Sequence, residues 1–183
     1  MKDHLANIAH ARPLVGSIGS GRYLVGIDGR SGSGKSTLAH ALATELVGRR
    51  VEIVEVELFI GGWNALLADI GKVGSLARDL RRDGHARART WDWHASSWGE
   101  TVRIPDSGEA DVVLIVGCGS TCAQVREYLD LTVWLEAPAS VRRERVRTRD
   151  PYDWSEHWEV WAHQEEALLK EFPSHRRNDV ILR

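Results

Sequence analysis

One eight-residue segment near the start of the chain restricts the fold more than any other feature. Residues 29–36, Gly-Arg-Ser-Gly-Ser-Gly-Lys-Ser, have the pattern G-x-x-x-x-G-K-[ST] and lie between an apolar run, 23–27, and a helical stretch, 37–47. Glycines let a backbone curl so that successive N–H groups face one anion, and the N-terminus of the following helix adds partial positive charge. The segment therefore predicts a phosphate-binding loop, or P-loop, after the first strand of an α/β sheet.

The predicted loop assigns roles in nucleotide binding to individual residues. Lys35 is expected to span the β- and γ-phosphates, and the hydroxyl oxygen of Ser36 is expected to ligate Mg²⁺. The expected nucleotide contacts are Gly29, Ser31, Gly32, Ser33, Gly34, Lys35, Ser36 and Thr37. This pattern alone does not separate a kinase from a GTPase or a motor ATPase. ATP is favoured over GTP because the chain contains no N-K-x-D segment for guanine recognition.

Apolar runs and helical segments alternate along the rest of the chain. Runs of strand type occupy residues 23–27, 51–56, 112–116, 131–135 and 179–182. The third run, Val-Val-Leu-Ile-Val, is typical of a strand covered on both faces. The alternation predicts a three-layer α/β fold with a five-stranded parallel sheet, helices on both faces and a helical lid. We expect a single domain over residues 1–183, with a helical extension at 1–20 and the lid at about 138–152.

Composition argues against several classes of protein. The formal net charge of −2 and the pI of about 6.4 lack the basic excess of a nucleic-acid-binding protein. No run of about 18 apolar residues predicts a membrane span, and the N-terminus lacks the apolar core of a signal peptide. We therefore expect a cytoplasmic protein that acts on a small molecule, and the oligomeric state stays open. Cys118 and Cys122 fit neither a disulfide framework nor a four-ligand metal site and are interpreted as buried apolar residues.

An arginine-rich segment follows the fourth apolar run. Arg142, Arg145 and Arg149 are spaced i, i+3 and i+7, which places them on one face of a helix. Guanidinium groups suit phosphate because they are planar, permanently charged and able to donate two parallel hydrogen bonds. The spacing therefore predicts a lid that neutralises charge on a transferring phosphoryl group. The alternative is a solvated surface helix whose arginines pair with Glu144 and nearby acids.

Several motifs resemble one family. Residues 27–39, Ile-Asp-Gly-Arg-Ser-Gly-Ser-Gly-Lys-Ser-Thr-Leu-Ala, resemble the opening of uridine kinase-like P-loop kinases, in particular a bacterial branch of nucleoside kinase-like, ATP-binding proteins. Further resemblance lies, in chain order, at residues 57–64, 89–93, 135–138 and 157–165. The resemblance covers roughly residues 23–182 and implies transfer of a phosphoryl group from MgATP to a hydroxyl of a small acceptor such as a nucleoside. It also implies an aspartate ending the second sheet strand, which activates the acceptor, and an acid near the end of the third, which assists Mg²⁺.

Both implied acids are displaced in this chain. The aspartate position falls on Val56, and the position of the acid near the third strand falls on Val116. Three interpretations stay open: Glu57 serves as the base one residue out of phase, Asp92 or Glu55 reaches in instead, or the protein binds nucleotide without efficient transfer. A valine can neither accept a proton nor hold a metal-bound water, so the third interpretation makes the protein a non-catalytic nucleotide-binding module.

Eight tryptophans are many for a chain of this length. Four of them, Trp63, Trp91, Trp93 and Trp98, fall in the two regions expected to form the acceptor pocket, where they would stack on a flat base or a sugar face. The alternative is ordinary core packing. The stripe Trp154, Trp158 and Trp161 is interpreted as core, and His94 and His157 as structural or pocket-lining residues rather than zinc ligands.

Overall fold

The chain forms seven strands and six α-helices within the residues that the computed structural model describes, 2–149, 155–174 and 178–183. The strands are β1 (Tyr23–Asp28), β2 (Val51–Glu55), β3 (Ala86–Asp92), β4 (Ser97–Ile104), β5 (Val112–Val116), β6 (Leu131–Leu135) and β7 (Val180–Leu182). The helices are α1 (Lys2–Val15), α2 (Lys35–Glu45), α3 (Leu66–Asp83), α4 (Ala123–Arg126), α5 (Ala139–Arg149) and α6 (Ser155–Glu171). A turn of 3₁₀-helix, Val56–Phe59, follows β2.

Five of the strands form a parallel sheet in the order β2-β5-β1-β6-β7. The carboxyl ends of β5 and β6 therefore flank the carboxyl end of β1. In an α/β sheet of this kind, ligands bind outside the carboxyl ends of the strands, where the strand order reverses. The predicted three-layer α/β fold with a five-stranded parallel sheet is confirmed.

Both faces of the sheet are covered. Alternate residues of β5 point to opposite sides: Val113 and Ile115 pack into a core with α3 and α6, and Leu114 packs into a second core with α1 and α2. Every residue of β5 is buried, as the continuous apolar run predicts. Two independent cores hold the central strands in place, and with them the loops at their carboxyl ends.

The structure corrects the sequence prediction between residues 57 and 104. Helix α3 begins at Leu66, whereas its glycines and weak early periodicity predict a start near residue 73. Gly74 is required there because a Cβ would lie 2.6 Å from the carbonyl oxygen of Gln124. Residues 87–93, whose sequence favours an extended conformation, form one arm of an antiparallel hairpin; the second arm, β4, has no continuous apolar run and half of its residues are exposed.

The predicted lid corresponds to α5, which runs from Ala139 to Arg149. The end of the predicted lid, 150–152, and Trp154 lie outside the described residues. Within the described part of the chain, none of the helices is both long and apolar enough to cross a bilayer.

Candidate active site

The P-loop lies where the motif predicts, between the end of β1 and the start of α2 at Lys35. Gly32 and Gly34 have φ values of +78° and +104°, which favour glycine. A Cβ on Gly32 would also collide with the carbonyl of Arg142 in α5. The loop therefore needs glycine at residue 32 both for its backbone conformation and for its close packing against α5.

Asp28 anchors the start of this loop. Its buried carboxylate accepts hydrogen bonds from the N–H of Gly29 at 2.7 Å, the N–H of Gly119 at 2.9 Å and the hydroxyl of Thr121 at 2.8 Å. The loops that follow β1 and β5 are thus joined through one side chain. Asp28 is committed to holding turn N–H groups rather than facing a ligand.

Lys35 is buried beneath the loop. Its Nζ donates to the carbonyl oxygen of Arg30 at 3.2 Å and lies 3.7 Å from Sγ of Cys118. Burial by itself lowers the pKa of Lys35, but the negative charges around it, which include Glu57, Glu165 and Asp28, outweigh burial and leave the pKa above its usual value. The ammonium group therefore stays charged and within a loop shaped for phosphate.

A carboxylate that sequence reasoning did not assign lies behind the loop. Glu165 of α6 is 3% exposed, and its Oε1 accepts hydrogen bonds from the N–H of Ser31 at 2.7 Å and from Sγ of Cys118 at 3.2 Å. Burial raises the pKa of the Cys118 thiol well above its usual value, so the sulfur is a neutral donor. The only sequence signal for Glu165 is its place at the end of the motif resemblance at 157–165.

The predicted arginine face of α5 points at the P-loop, but its members differ in their contacts. Arg142 is buried and donates to the carbonyl oxygens of Ser31 and Ala137, both at 3.1 Å. Arg145 donates to the carbonyl oxygens of Gly32 and Ser33 at 3.3 and 3.2 Å. Arg149 is exposed. The face thus contains one structural brace, Arg142, and two arginines that line the adjoining cavity.

A cavity with a volume of about 640 Å³ opens directly from the P-loop. The loop contributes Ser31, Gly32, Gly34, Lys35, Ser36 and Thr37, and α5 contributes Arg145, Val146 and Arg149. The remaining lining residues are Glu55, Glu57, Trp63, Trp93 and Trp161. Of the predicted nucleotide contacts, Gly29 and Ser33 are buried and are not among the lining residues.

Three of the cavity residues form an aromatic surface, here called the tryptophan wall: Trp63, Trp93 and Trp161. Trp63 packs edge-on to Trp93, with ring centroids 4.9 Å apart, and stacks on the other side against His157 at 4.4 Å. Trp161 lies about 6 Å from both tryptophans. The Nε1–H of Trp93 donates to the carbonyl oxygen of Glu57 at 3.2 Å, which joins the wall to the segment after β2.

The other predicted aromatic residues lie elsewhere. Trp91 and Trp98 pack on each other with centroids 5.3 Å apart and do not line the cavity, which corrects the prediction that they contribute to the pocket. Trp158 is partly exposed beside Arg142 and Arg143 rather than in the core. Trp161 is buried as predicted, but it also faces the cavity.

The candidate acids separate clearly in space. Glu57 is half-buried in the cavity, and Glu55 lines the same cavity from a more exposed position. Asp92 is exposed at the hairpin turn, where it accepts from the N–H groups of His94 and Ala95, both at 2.9 Å. Asp92 therefore caps the hairpin turn and is not among the residues that line the cavity. Burial raises the pKa of Glu57, although Lys35 opposes the shift.

A second hollow, of about 820 Å³, lies on the other side of the brace residue Arg142. It is lined by the segment after β6 and by the last turns of α6, and four cationic side chains border it: Arg30, Arg142, Lys170 and Arg183. The P-loop therefore contributes to two hollows: the first is lined by tryptophans and by both acidic and basic side chains, and the second adds two acids, Glu136 and Glu166, to its four cationic side chains.

Comparisons with known proteins agree with this geometry. The structure superposes on one described as a possible uridine kinase from Bacillus stearothermophilus with a TM-score of 0.70, at 21% identity over 97% of this chain and 98% of the other. It also superposes on one described as a fructose transport system kinase from a Silicibacter species, with a TM-score of 0.65, at 19% identity over 97% and 98% of the two chains. This chain has the fold of a P-loop kinase.

Sequence comparisons find relatives that match part of the chain. A cytidylate kinase of Halobacterium salinarum is 31% identical over 128 residues, which are 69% of this chain and 58% of that protein. A tRNA modification GTPase of Phenylobacterium zucineum is 30% identical over 109 residues, or 51% of this chain and 24% of that protein. The chain thus spans about a quarter of the GTPase and little more than half of the cytidylate kinase. No protein-family profile matches the chain.

The residues at the loop suit Mg²⁺ that arrives with a nucleotide. Ser36 is exposed at the cavity, and a carboxylate, Glu57, lies in the same cavity. Among the described residues no group of three or more histidines, cysteines or acids forms a metal site of its own. This is the donor set expected of Mg²⁺, which keeps several waters and takes one or two protein oxygens together with phosphate oxygens.

Proposed function

We propose that this protein transfers the γ-phosphoryl group of MgATP to a hydroxyl group of a small molecule that stacks on the tryptophan wall. The observation that carries the proposal is the continuity of one cavity from Lys35 and Ser36 of the P-loop to Trp63, Trp93 and Trp161. A protein that only bound nucleotide would need the loop but not an adjoining aromatic chamber. The similarity to kinases supports the same reaction class.

Each part of the cavity has a role in this reaction. The backbone N–H groups of the loop and the Lys35 ammonium hold the β- and γ-phosphates, and Arg145 and Arg149 neutralise charge on the group in transit. The nucleoside part of ATP would occupy the second hollow, beyond Arg142. Mg²⁺ bound with ATP, next to Ser36, supplies further neutralisation of phosphate charge.

The acceptor is held by aromatic contact. A purine, a pyrimidine or a sugar face would pack on the tryptophan wall and present a hydroxyl to the γ-phosphate. The acceptor oxygen then bonds to the γ-phosphorus as the bond to the β–γ bridging oxygen breaks, ADP leaves, and the hydroxyl proton passes to a carboxylate or to water. A nucleoside is the first acceptor to test, since it offers both a flat ring and hydroxyl groups.

The proposal is tested by ADP formation from MgATP against pooled nucleosides, nucleotides, sugars and vitamins, with Lys35→Ala as the control. Acceptor-dependent ADP formation that disappears in Lys35→Ala is the expected result, and dividing the pool identifies the acceptor. An unchanged affinity of Lys35→Ala for MgATP would show that the P-loop is not the nucleotide site. MgATP binding without ADP formation for any acceptor in the panel would reject transfer to these compounds.

A non-catalytic nucleotide-binding module is the second candidate, and one observation favours it. Val56 and Val116, at the positions of the two implied acids, are 0% and 2% exposed, so both sites are filled by apolar core. Restoring the acids as Val56→Asp with Val116→Glu separates the two candidates. A large gain in transfer identifies a decayed kinase, whereas the original protein already turns over if the first proposal is correct.

A further inference from the structure

We propose that Glu57 is the carboxylate that binds Mg²⁺ alongside Ser36, in place of an acid on β5. This inference concerns the nucleotide half of the proposed function and rests on it only for the presence of bound MgATP. It assigns Glu57 to the metal rather than to the acceptor hydroxyl. It also explains how the site works with valine at residue 116.

The side chain of Glu57 reaches across from β2 to the end of β5. These two strands are paired in register, with Glu55 opposite Val116. A Cβ built on Gly117 would lie 2.9 Å from Oε2 of Glu57 and 2.5 Å from Cβ of Val56. The carboxylate of Glu57 therefore lies over Gly117, immediately beyond Val116, although Glu57 itself belongs to the 3₁₀ turn after the neighbouring strand, β2.

The same position is adjacent to the P-loop. The N–H of Gly117 donates to the carbonyl oxygen of Ile27 at 3.2 Å, so this end of β5 is tied to the strand that leads into the loop. Glu57 shares the cavity with Ser36, and its charge interacts with that of Lys35. The carboxylate of Glu57 would thus supply a negative protein ligand to a cation that is bound by the Ser36 hydroxyl and the phosphates.

Among the residues that the structure describes, the other carboxylates near the loop are already engaged or too exposed. Asp28 is surrounded by the donors of two loops, and Glu165 accepts from Ser31 and Cys118. Glu55 lines the cavity but is exposed. Glu57 accepts a hydrogen bond from its own backbone N–H, which leaves acceptor capacity on a carboxylate that has about four lone-pair sites.

Gly117 gives the inference a second, independent variant. A methyl group at residue 117 would collide with Cβ of Val56 and with the carboxylate of Glu57, so it would shift the turn that carries both residues, and the φ of +149° there already favours glycine. Gly117→Ala should therefore displace the carboxylate while leaving Glu57 chemically intact. If Glu57 binds the metal, Gly117→Ala and Glu57→Gln must both reduce the increase in ATP affinity that Mg²⁺ produces.

The experiment measures ATP affinity with Mg²⁺ and with EDTA and takes the ratio of the two as the metal gain. It needs no acceptor and no turnover. We expect Glu57→Gln and Gly117→Ala to reduce the metal gain by about 10-fold or more, with the affinity in EDTA unchanged or improved. Glu55→Gln, the matched control two residues earlier, should keep the gain of the parent protein. Thermal unfolding of each variant confirms that it is folded.

The outcomes separate the alternatives. A base that acts only on the acceptor predicts that Glu57→Gln keeps the full metal gain and loses turnover, which would overturn the metal assignment while leaving the kinase proposal intact. A parent protein whose affinity for ATP is the same with Mg²⁺ and with EDTA would also overturn it. If Glu57 replaces an acid at the end of β5, adding Val116→Glu to Glu57→Gln should restore the metal gain. A folded double variant that does not regain it would overturn the view that Glu57 takes the place of that acid.

Discussion

The two halves of the cavity are built in different ways. The phosphate half comes from one contiguous run of residues, shaped by backbone N–H groups and by glycines at positive φ. The half proposed for the acceptor is assembled from tryptophan side chains of three distant segments: Trp63 after β2, the hairpin residue Trp93, and Trp161 of α6. A backbone site tolerates little change in loop conformation, whereas a side-chain site can be altered one residue at a time. This difference predicts which substitutions weaken the binding of MgATP and which weaken only the binding of the acceptor.

The largest effect is expected from Gly32→Ala. The new methyl group collides with the carbonyl of Arg142, and residue 32 has a φ of +78°. We expect a loss of about 3 kcal/mol in the binding free energy of MgATP, which is about 100-fold in Kd. Gly48→Ala is the matched control, because Gly48 has a φ of +79° with nothing near its Cβ position. It should lose about 1–2 kcal/mol of folding stability from backbone strain and keep its MgATP affinity.

Arg142→Ala should have the next largest effect. It removes the donor to the partly buried carbonyls of Ser31 and Ala137, and the upper limit of the cost is the value for a fully buried unsatisfied group, about 1–3 kcal/mol. We expect the free energy of unfolding to fall by at most this amount, with weaker MgATP binding, as measured by denaturant titration and calorimetry. Arg143→Ala on the same helix breaks an exposed pair with Glu159 and a contact with the ring of Trp158, and it should cost less than about 1 kcal/mol. Equal losses in the two variants would contradict the assignment of Arg142 as a brace.

Trp63→Leu tests the acceptor half alone. Because Trp63 belongs to the tryptophan wall and not to the loop, KM for the acceptor should rise by about 10-fold while KM for MgATP stays unchanged. Trp91→Leu is the control, since Trp91 packs on Trp98 away from the cavity. Steady-state kinetics with each substrate varied in turn provides the comparison. A parallel rise of both KM values in Trp63→Leu would show that the two halves are not separate.

The smallest effect is a gain of stability in Glu57→Gln without nucleotide. Burial raises the pKa of Glu57, so the folded protein disfavours the ionised form at neutral pH. The folded-state pKa lies above the unfolded one, and the penalty therefore appears as pH rises through the interval between them and is absent below it. Because Glu57 is only half-buried, we expect Glu57→Gln to be more stable by at most about 1 kcal/mol at pH 7. Unfolding at pH 7 and below the ordinary carboxyl pKa should show this difference shrinking at low pH.

The same contrast explains what could be predicted from the sequence. The P-loop and the five parallel strands were predictable because glycine spacing and apolar runs are local signals with direct structural meaning. Glu57 could be proposed from its place after the second apolar run, but its position over Gly117 depends on the pairing of β2 with β5.

The positions of the remaining site residues depend on tertiary contacts that the sequence does not show. Nothing in the sequence indicates which of the three neighbours Trp91, Asp92 and Trp93 faces the cavity. The hairpin turn decides this, and it places only Trp93 there. Glu165 was missed because an acid in a surface-like helical pattern gives no local sign that it reaches a loop 134 residues earlier in the chain.

Helix α6 joins the two halves. Trp161 of the tryptophan wall and Glu165, which accepts from the P-loop N–H of Ser31, are four residues apart and therefore lie on one face of the helix. Four residues of α-helix measure about 6 Å along its axis. A single helical turn thus fixes the spacing between the P-loop and the tryptophan wall, and this spacing depends on the dimensions of a rigid helix rather than on the lengths of flexible loops.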